Sequence, residues 1–266
     1  MTKYIFALTI NCMLVSGSIF GMEIASSLER APFIRILIST NKRELQTASK
    51  IYISKDNSFR ITLLAATHFG EKAYYDQHQK LMNSAEAVLY EGGEKSTLKP
   101  YLGSSLYQRS PQKVMAQNYG LCCQLEAIDY EKGHFFWADN LTYPTLDIQN
   151  VPLFTEFLLL INSVYAWYSG LEKFSETLCA PRIAINDESK WFEQLMLERN
   201  AIAYEKLEEQ LKQGKRHIVI YYGEAHMEAM ENFIVEKYDL VIEKVDWYTA
   251  WHYEQSWAGY AAESFF

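Results

Sequence analysis

Apolar segments separated by short polar runs predict several strands in the first third of the chain. The segments FIRILIST (33–40), KIYIS (50–54) and FRITLLAAT (59–67) are rich in β-branched and other apolar residues. The polar run KDNS (55–58) between the last two segments is typical of a turn. The sequence therefore predicts two short strands followed by a turn and a longer strand.

The segment that follows has the period of a helix. Its apolar side chains recur at spacings of three and four residues, which places Tyr74, His78, Leu81 and Ala85 on one helix face. The apolar segment AVLYE (87–91) then predicts a strand that runs into a glycine turn. Strand, helix and strand with short links predict a βαβ unit, in which the two strands are parallel.

The same order of elements returns near the C-terminus. A helix is predicted from about Ser189 to Gly214, because glycine is favoured just after a helix end. The apolar strand HIVIYY (217–222), the turn GEAH (223–226), the helix MEAMENFIVEKY (227–238) and the strand DLVIEKV (239–245) follow. These elements predict a second βαβ unit.

The middle of the chain is less regular. Residues 98–121 are predicted to be helical with interruptions, and QLEAIDY (124–130) is predicted to be a buried strand. The very apolar segment 151–174 has the composition of a buried or membrane helix. A membrane span is disfavoured by two polar residues, Glu156 and Asn162, and by two prolines, Pro144 and Pro152. The segment is therefore expected to be a helix in a lid or over a pocket.

Together these patterns predict an α/β fold of the α+β variant. Two βαβ units contribute to a mixed sheet flanked by helices, with a helical, aromatic-rich middle insertion. At 266 residues and 49% hydrophobic, the chain can bury one core, so a single domain is expected over residues 22–266, with a lid-like helical region at about 98–180.

The first residues have the order of a secretory signal peptide. One lysine precedes an apolar stretch from Tyr4 to Val15, and small residues follow, so residues 1–21 are predicted to be removed on export to the periplasm or the extracellular space. The alternatives are an ordinary N-terminal segment or an uncleaved anchor, which would be the only route to membrane association.

Charge and cysteine content exclude several classes of protein. A net charge of −8 without a basic run argues against a nucleic-acid partner. Cys12, Cys122, Cys123 and Cys179 have neither the spacing of a redox pair nor that of a four-thiolate zinc site, so we expect buried thiols.

Ionisable side chains stand at the ends of the predicted parallel strands. His68 follows the first long strand, Glu91 ends the next strand, and His226 follows the C-terminal strand. Ligands of open α/β sheets bind beyond the carboxyl ends of the strands. If the three strands share one sheet, these three side chains meet at one edge of it.

Arg199 lies within an apolar face of the predicted helix after Ser189. A permanently charged guanidinium there is costly unless a carboxylate or a bound anion accompanies it. The alternative is a side chain whose charged end reaches solvent along its own stem. The neighbouring Asn200 is predicted from the helical pattern to point elsewhere.

Such a set of residues suits metal-assisted hydrolysis. Two imidazoles and one carboxylate can hold a divalent ion such as Mn²⁺, Co²⁺ or Zn²⁺ with one position open, which makes His68, Glu91 and His226 candidate ligands. Glu91 would deprotonate a bound water, and Arg199 would bind a substrate carboxylate or a developing oxyanion.

Six short motifs in order also resemble a known family. AATH, VLYEGG, QLEAIDY, WADN, LERNAIA and YYGEAHME are similar to motifs of the TraB/GumN/TIKI superfamily, which is related to erythromycin-esterase-like and ChaN-like folds. The resemblance covers roughly residues 35 to 245. Members of the TIKI branch are metal-dependent peptidases, so the resemblance implies metalloprotease-like hydrolysis.

The resemblance assigns family positions to individual residues. His226 matches the second Gly-x-x-His motif, and His68 matches the first, except that Ala65 replaces the glycine. Glu91 matches the family glutamate, and Arg199 with Asn200 matches the helix pair. The remaining motifs add candidates for substrate binding or support of the site, namely Asp129, Tyr130 and Asp139.

The sequence therefore leads to a hypothesis with one main alternative. The hypothesis is an exported metal-dependent hydrolase that cleaves a peptide or other amide or ester bond in a peptide or small-molecule substrate. The alternative is a non-catalytic family member that binds a ligand such as haem or a metal, as ChaN-like relatives do, or that binds a partner.

Overall fold

The computed structural model describes residues 33–39, 42–140, 170–176, 178–179 and 187–253. The strands are β1 (Ile34–Ile38), β2 (Arg43–Ser54), β3 (Arg60–Ala66), β4 (Phe69–Gly70), β5 (Ala87–Tyr90), β6 (Cys122–Cys123), β7 (Phe135–Trp137), β8 (His217–Gly223) and β9 (Leu240–Tyr253). The helices with defined bounds are α1 (Lys72–Asn83), α2 (Lys95–Leu102), α3 (Ser105–Gln108), α4 (Pro111–Asn118), α5 (Gln124–Ala127), α6 (Asp187–Lys212) and α7 (Glu224–Tyr238). Residues 170–176 are also helical.

Seven strands form one mixed sheet whose two halves differ in strand direction. On one side, β3, β8, β5 and β7 are neighbours and run parallel. On the other side, β2 pairs antiparallel with β1, β3 and β9. The predicted mixed sheet with flanking helices is confirmed.

The two βαβ units are interleaved in this sheet. Strand β8 lies between β3 and β5, so the strands of the first unit are parallel but not adjacent. Strand β9 of the second unit crosses back to pair with β2. The central place of β8 follows from its composition, because its residues from Ile218 to Tyr222 are all buried and suit a strand covered on both faces.

Side chains that alternate along the parallel strands build two separate cores. One face packs against the helices between residues 72 and 127, and it includes Val88, Tyr90, Val219 and Tyr221. The opposite face carries Leu63, Leu89, Ile220 and Tyr222 and packs against α6 and α7, which contribute Ala203, Leu207 and Met230. Because successive strand residues point to opposite faces, each strand end can direct a polar side chain toward α6 and α7.

Helix limits follow local signals where the sequence supplies them. Helix α1 buries Tyr74 and His78, as the periodicity predicts, together with Tyr75 and Met82. After α6 the chain reverses at Gly214, whose φ of 88° lies in the left-handed region that glycine adopts readily. The residues 98–121 form α2, α3 and α4, in agreement with the predicted interrupted helix.

Two local predictions are wrong. QLEAIDY does not form a strand, because Gln124–Ala127 is the short helix α5 and the place beside β5 is taken by β7. The chain turns there because β6 pairs with β4 and the Gln124 N–H donates to the carbonyl of His68. GEAH is not a free turn either, since Glu224 already begins α7 and places His226 in its first helical turn.

Several predictions concern residues outside the described part of the chain. The signal peptide at 1–21 and most of the apolar segment 151–174 lie there. Among the helices that the structure describes, none combines the length and hydropathy needed to cross a membrane.

The described cysteines are free thiols, and Cys123 is buried as expected, whereas Cys122 and Cys179 are only partly buried. Burial raises the pKa of Cys123, and it raises the pKa of Cys179 to about 12. Both groups are therefore protonated at neutral pH.

Candidate active site

The carboxyl ends of three parallel strands define the candidate site. Their order in the sheet is β3, β8, β5, and the register pairs Ala66 with Gly223 and Tyr90 with Tyr221. The strands therefore end at the same level. His68 follows β3, Glu91 follows β5, and His226 follows β8, so all three residues lie at one edge of the sheet, as predicted.

Arg199 of α6 joins two carboxylates at this edge. Its Nη2 donates to Glu91 Oε1 at 2.6 Å and to Asp139 Oδ2 at 2.7 Å, and its Nε donates to Asp139 Oδ1 at 2.9 Å. The side chains of Arg199, Glu91 and Asp139 are only 12%, 10% and 0% exposed. Solvent therefore screens these charges little, and the cluster is not a surface ion pair.

Asp139 holds the guanidinium from the loop after β7. Besides its two bonds to Arg199, its carboxylate accepts the backbone N–H of Gly92 at 3.0 Å and that of Asn140 at 2.8 Å. Gly92 has a φ of 117°, a conformation that side chains with a Cβ rarely adopt, and the Glu91-Gly92 turn thereby brings this N–H to Asp139. Both carboxylate oxygens of Asp139 are therefore hydrogen-bonded, and they hold the guanidinium of Arg199 in place.

His226 is oriented by Asn200, the neighbour of Arg199 on α6. The ring Nδ1 lies 2.5 Å from Asn200 Oδ1. Because the amide oxygen can only accept, Nδ1 of the imidazole carries a proton. The ring Nε2 lies 3.5 Å from Glu91 Oε1 and 3.4 Å from Arg199 Nη1. The prediction that Asn200 points elsewhere on the helix is wrong.

Replacing Asn200 by leucine is expected to lower the free energy of unfolding by about 1–3 kcal/mol, because the buried Nδ1–H of His226 loses its acceptor. Asn200→Asp keeps an acceptor and should retain the protonated Nδ1 in NMR spectra of the imidazole. Gln210→Leu is the matched control, since Gln210 is also buried on α6 but its Oε1 has no hydrogen bond within the described residues. Equal urea stabilities of Asn200→Leu and wild type would contradict this role.

The electrostatics of Glu91 favour the carboxylate. Burial alone would raise its pKa. The nearby charges of His226 and Arg199 outweigh burial and hold the pKa of this carboxyl well below its ordinary value. The backbone N–H of Gly223 also donates to Glu91 Oε2 at 2.5 Å. Glu91 is therefore ionised at neutral pH, with both oxygens engaged.

The guanidinium of Arg199 is held in its charged form. Burial lowers its pKa, but the carboxylates of Glu91 and Asp139 raise the pKa above the ordinary value. Arg199 does not reach solvent along its stem, as the alternative interpretation of the sequence would require.

His68 occupies the solvent side of the same edge. Its side chain is exposed, and its backbone carbonyl accepts the N–H of Gln124 at 2.9 Å. Its charge contributes to lowering the pKa of Glu91, so the ring lies within electrostatic reach of the buried cluster. Ala65 lies inside β3 and is fully buried, in a regular strand where alanine serves as well as glycine.

Two of the predicted supporting residues do not join the site. Asp129 is exposed, its backbone N–H donates to Gln79, and its carboxylate pairs with Lys132. Tyr130 packs against Tyr90 in the core on the opposite face of the sheet. Both follow the short helix α5 rather than a strand of the sheet, which is why the strand prediction misplaced them.

Sequence reasoning missed the backbone donors of the site and Trp137. The Trp137 Nε1–H donates to the carbonyl of Gly92 at 2.5 Å and so fixes the turn after Glu91. The two glycines Gly92 and Gly223 beside the ionisable residues were the only signal of close backbone approach in the sequence.

The donor set fits a divalent metal only in part. Two ligands at about 2.1 Å from a tetrahedral ion lie about 3.4 Å apart, and His226 Nε2 and Glu91 Oε1 are 3.5 Å apart. The third nearby carboxylate, that of Asp139, is bound by Arg199 through both oxygens, and within the described residues no group of three His, Cys, Asp or Glu is arranged to hold a metal ion. Arg199 Nη1 also lies 3.4 Å from His226 Nε2. As arranged, these side chains surround a guanidinium and do not fit a metal ion.

Comparisons of this chain with protein-family models, with curated proteins and with solved structures gave no match. A functional assignment must therefore be argued from the geometry and chemistry of the site.

Proposed function

We propose that this chain is a hydrolase that cleaves a peptide bond or another amide or ester bond at the edge formed by His68, Glu91, Arg199 and His226. One observation carries the proposal, namely the buried cluster of Glu91, Asp139 and Arg199 beside an oriented histidine. Buried ion pairs seldom increase stability over apolar packing, whereas buried charged groups with strongly shifted pKa values are concentrated at catalytic sites.

His226 is the base in this proposal. Its Nε2 takes the proton of a water molecule as the water oxygen attacks the carbonyl carbon of the substrate, and it later gives that proton to the leaving amine or alkoxide. Proton uptake at Nε2 converts the 3.5 Å approach to Glu91 Oε1 into an ion pair. Glu91 thus stabilises the imidazolium without itself exchanging a proton.

The charge balance of the cluster suits this step. Two carboxylates face one guanidinium, so these three groups together carry one net negative charge in a largely buried site. A proton on His226 brings the four groups to neutrality. The net negative charge of the cluster can therefore stabilise the positive charge that develops on the imidazole while it holds the proton of the water.

Arg199 supplies the complementary stabilisation. Among the described residues, its Nη1 is not bonded to either carboxylate and has only the long contact to His226. An N–H donor in this position is suited to the oxyanion that develops on the substrate carbonyl. The exposed His68 marks the side from which a substrate reaches the cluster.

The resemblance to the TraB/GumN/TIKI superfamily supports the same class of reaction. The motifs VLYEGG, LERNAIA and YYGEAHME supply Glu91, Arg199 and His226, which the fold brings together. Family membership, a peptide as the substrate and export across a membrane are parts of this proposal.

One observation favours a second function, the binding of a ligand without turnover. The Glu91 oxygens and both ring nitrogens of His226 already have partners within the protein. A site whose polar atoms are satisfied internally can serve as a rigid floor for a ligand that the exposed His68 contacts, such as haem.

Hydrolysis of unstructured peptides and of chromogenic esters and anilides tests the proposal. We expect wild-type turnover, and a loss of about 10²–10⁴-fold in kcat/KM for His226→Gln. His217→Gln is the control, because His217 begins β8 and therefore lies at the opposite end of this strand from the site. Turnover that His226→Gln leaves intact would refute the role of this site. A haem absorption band that His68→Ala removes, without turnover of any substrate, would establish the second function instead.

A further inference from the structure

Three polar atoms at the site contact the guanidinium of Arg199. Glu91 Oε1, Asp139 Oδ2 and His226 Nε2 come from three different elements, which are the ends of β5 and β7 and the start of α7. Arg199 Nη2 lies 2.6 Å from the first and 2.7 Å from the second, and Nη1 lies 3.4 Å from the third.

We infer that the guanidinium of Arg199 is the resident cation of this site and that it excludes a divalent metal ion from His226 and Glu91. This inference refines the proposed function, because it replaces the metal expected from the sequence by a group of the chain itself. It concerns a binding property that can be measured without any substrate.

Arg199 cannot easily leave this position. Its Nε and Nη2 bind both oxygens of Asp139 in the bidentate geometry that matches guanidinium to carboxylate. Asp139 is fully buried and is fixed in turn by the backbone N–H groups of Gly92 and Asn140. Moving the arginine aside would leave Asp139 buried without its counter-charge, which is strongly unfavourable.

A metal ion and this guanidinium compete for the same place. An ion bound to both His226 Nε2 and Glu91 Oε1 would lie about 2 Å from each. Arg199 Nη2 already lies 2.6 Å from Glu91 Oε1, and Nη1 lies 3.4 Å from His226 Nε2. A metal ion at that place would therefore be in near contact with the guanidinium. Their repulsion in a site with little solvent opposes metal binding.

A guanidinium in place of a metal ion changes the chemistry that the site can provide. A guanidinium stabilises an oxyanion through directed N–H groups and stays charged throughout the accessible pH range. Unlike a metal ion, it does not lower the pKa of a bound water, so activation of the water falls to His226. Hydrolysis at this site is therefore expected to be insensitive to chelators.

Calorimetric titration of the purified chain with Zn²⁺, Mn²⁺ and Co²⁺ at neutral pH, with the metal content measured beforehand, tests the inference. We expect the wild-type chain to bind no more of any ion than His226→Gln binds. Arg199→Ala is expected to gain a Zn²⁺ site, since it frees Glu91, Asp139 and His226 as ligands. The double variant Arg199→Ala/His226→Gln should lose that site again.

The inference can be tested even if Arg199→Ala does not fold, because metal binding by the wild-type chain is compared directly with that by His226→Gln. A Zn²⁺, Mn²⁺ or Co²⁺ site in the wild-type chain that His226→Gln and Glu91→Gln both abolish would overturn the inference. Absence of turnover with every substrate would count against the proposed hydrolase but would leave the metal result unaffected, so the two ideas fail separately.

Discussion

Arg199→Met is expected to lower the free energy of unfolding by about 3–5 kcal/mol. The substitution keeps a similar side-chain length but leaves the carboxylates of Glu91 and Asp139 buried without a counter-charge. Urea denaturation followed by circular dichroism measures this loss. Arg60→Met is the matched control, because Arg60 is exposed at the opposite end of β3 and its replacement should change stability by less than about 0.5 kcal/mol.

A variant that removes all three charges together should distinguish the contribution of the ion pairs to stability from that of side-chain packing. In the triple variant Glu91→Gln/Asp139→Asn/Arg199→Met no buried charge is left without a partner, and we expect it to be more stable than Arg199→Met alone. A triple variant as unstable as Arg199→Met would show that the loss comes from packing around α6. Arg199→Lys keeps the charge but not the planar fork, so it should recover only part of the stability.

Stability is also expected to fall as the pH drops below about 6.5, because the imidazole of His78 is fully buried. Its ring is fully buried among Tyr74, Tyr221 and Tyr248, and neither ring nitrogen is paired within the described residues. Burial lowers the pKa of His78 to about 3.

The sign of this effect follows from the two states. Between about pH 6.5 and pH 3, the unfolded chain binds a proton at His78 that the folded chain does not bind. The stabilisation is therefore complete above about pH 6.5 and is lost at about 1.4 kcal/mol per pH unit as the pH falls.

Comparison with His78→Phe isolates this contribution from the carboxylates that titrate in the same range. We expect the stability difference between the variant and wild type to shift by about 2–3 kcal/mol in favour of the variant between pH 7 and pH 4.5. Tyr75→Phe is the control, because it alters a buried side chain of the same helix that does not titrate in this pH range, so its stability curve should run parallel to that of wild type. Parallel stability curves for wild type and His78→Phe would disprove the assignment.

The sequence by itself determined the elements and the edge of the sheet at which the ionisable residues lie. The period of the apolar residues gave α1, β5, β8 and α7, because side-chain burial is a local property of a helix or strand. His68, Glu91 and His226 could be placed at one edge because parallel strands end at the same side of a sheet.

The hydrophobic pattern of the sequence did not predict the short elements correctly. QLEAIDY has the apolar content of a strand, but its conformation is decided by the pairing of β6 with β4 and by the N–H bond from Gln124 to His68. The strand β7 has only three residues and carries too little pattern to be recognised, although it places Asp139.

Only the tertiary structure decided the partners of the charged residues. Arg199 is 60 residues from Asp139 and 108 from Glu91 along the chain, and Asn200 is 26 residues from His226. A sequence shows that a buried arginine requires a counter-charge, but many carboxylates can meet that requirement. The choice between a metal ion and a guanidinium at this site was therefore fixed by distances that arise only when β5, β7, α6 and α7 pack together.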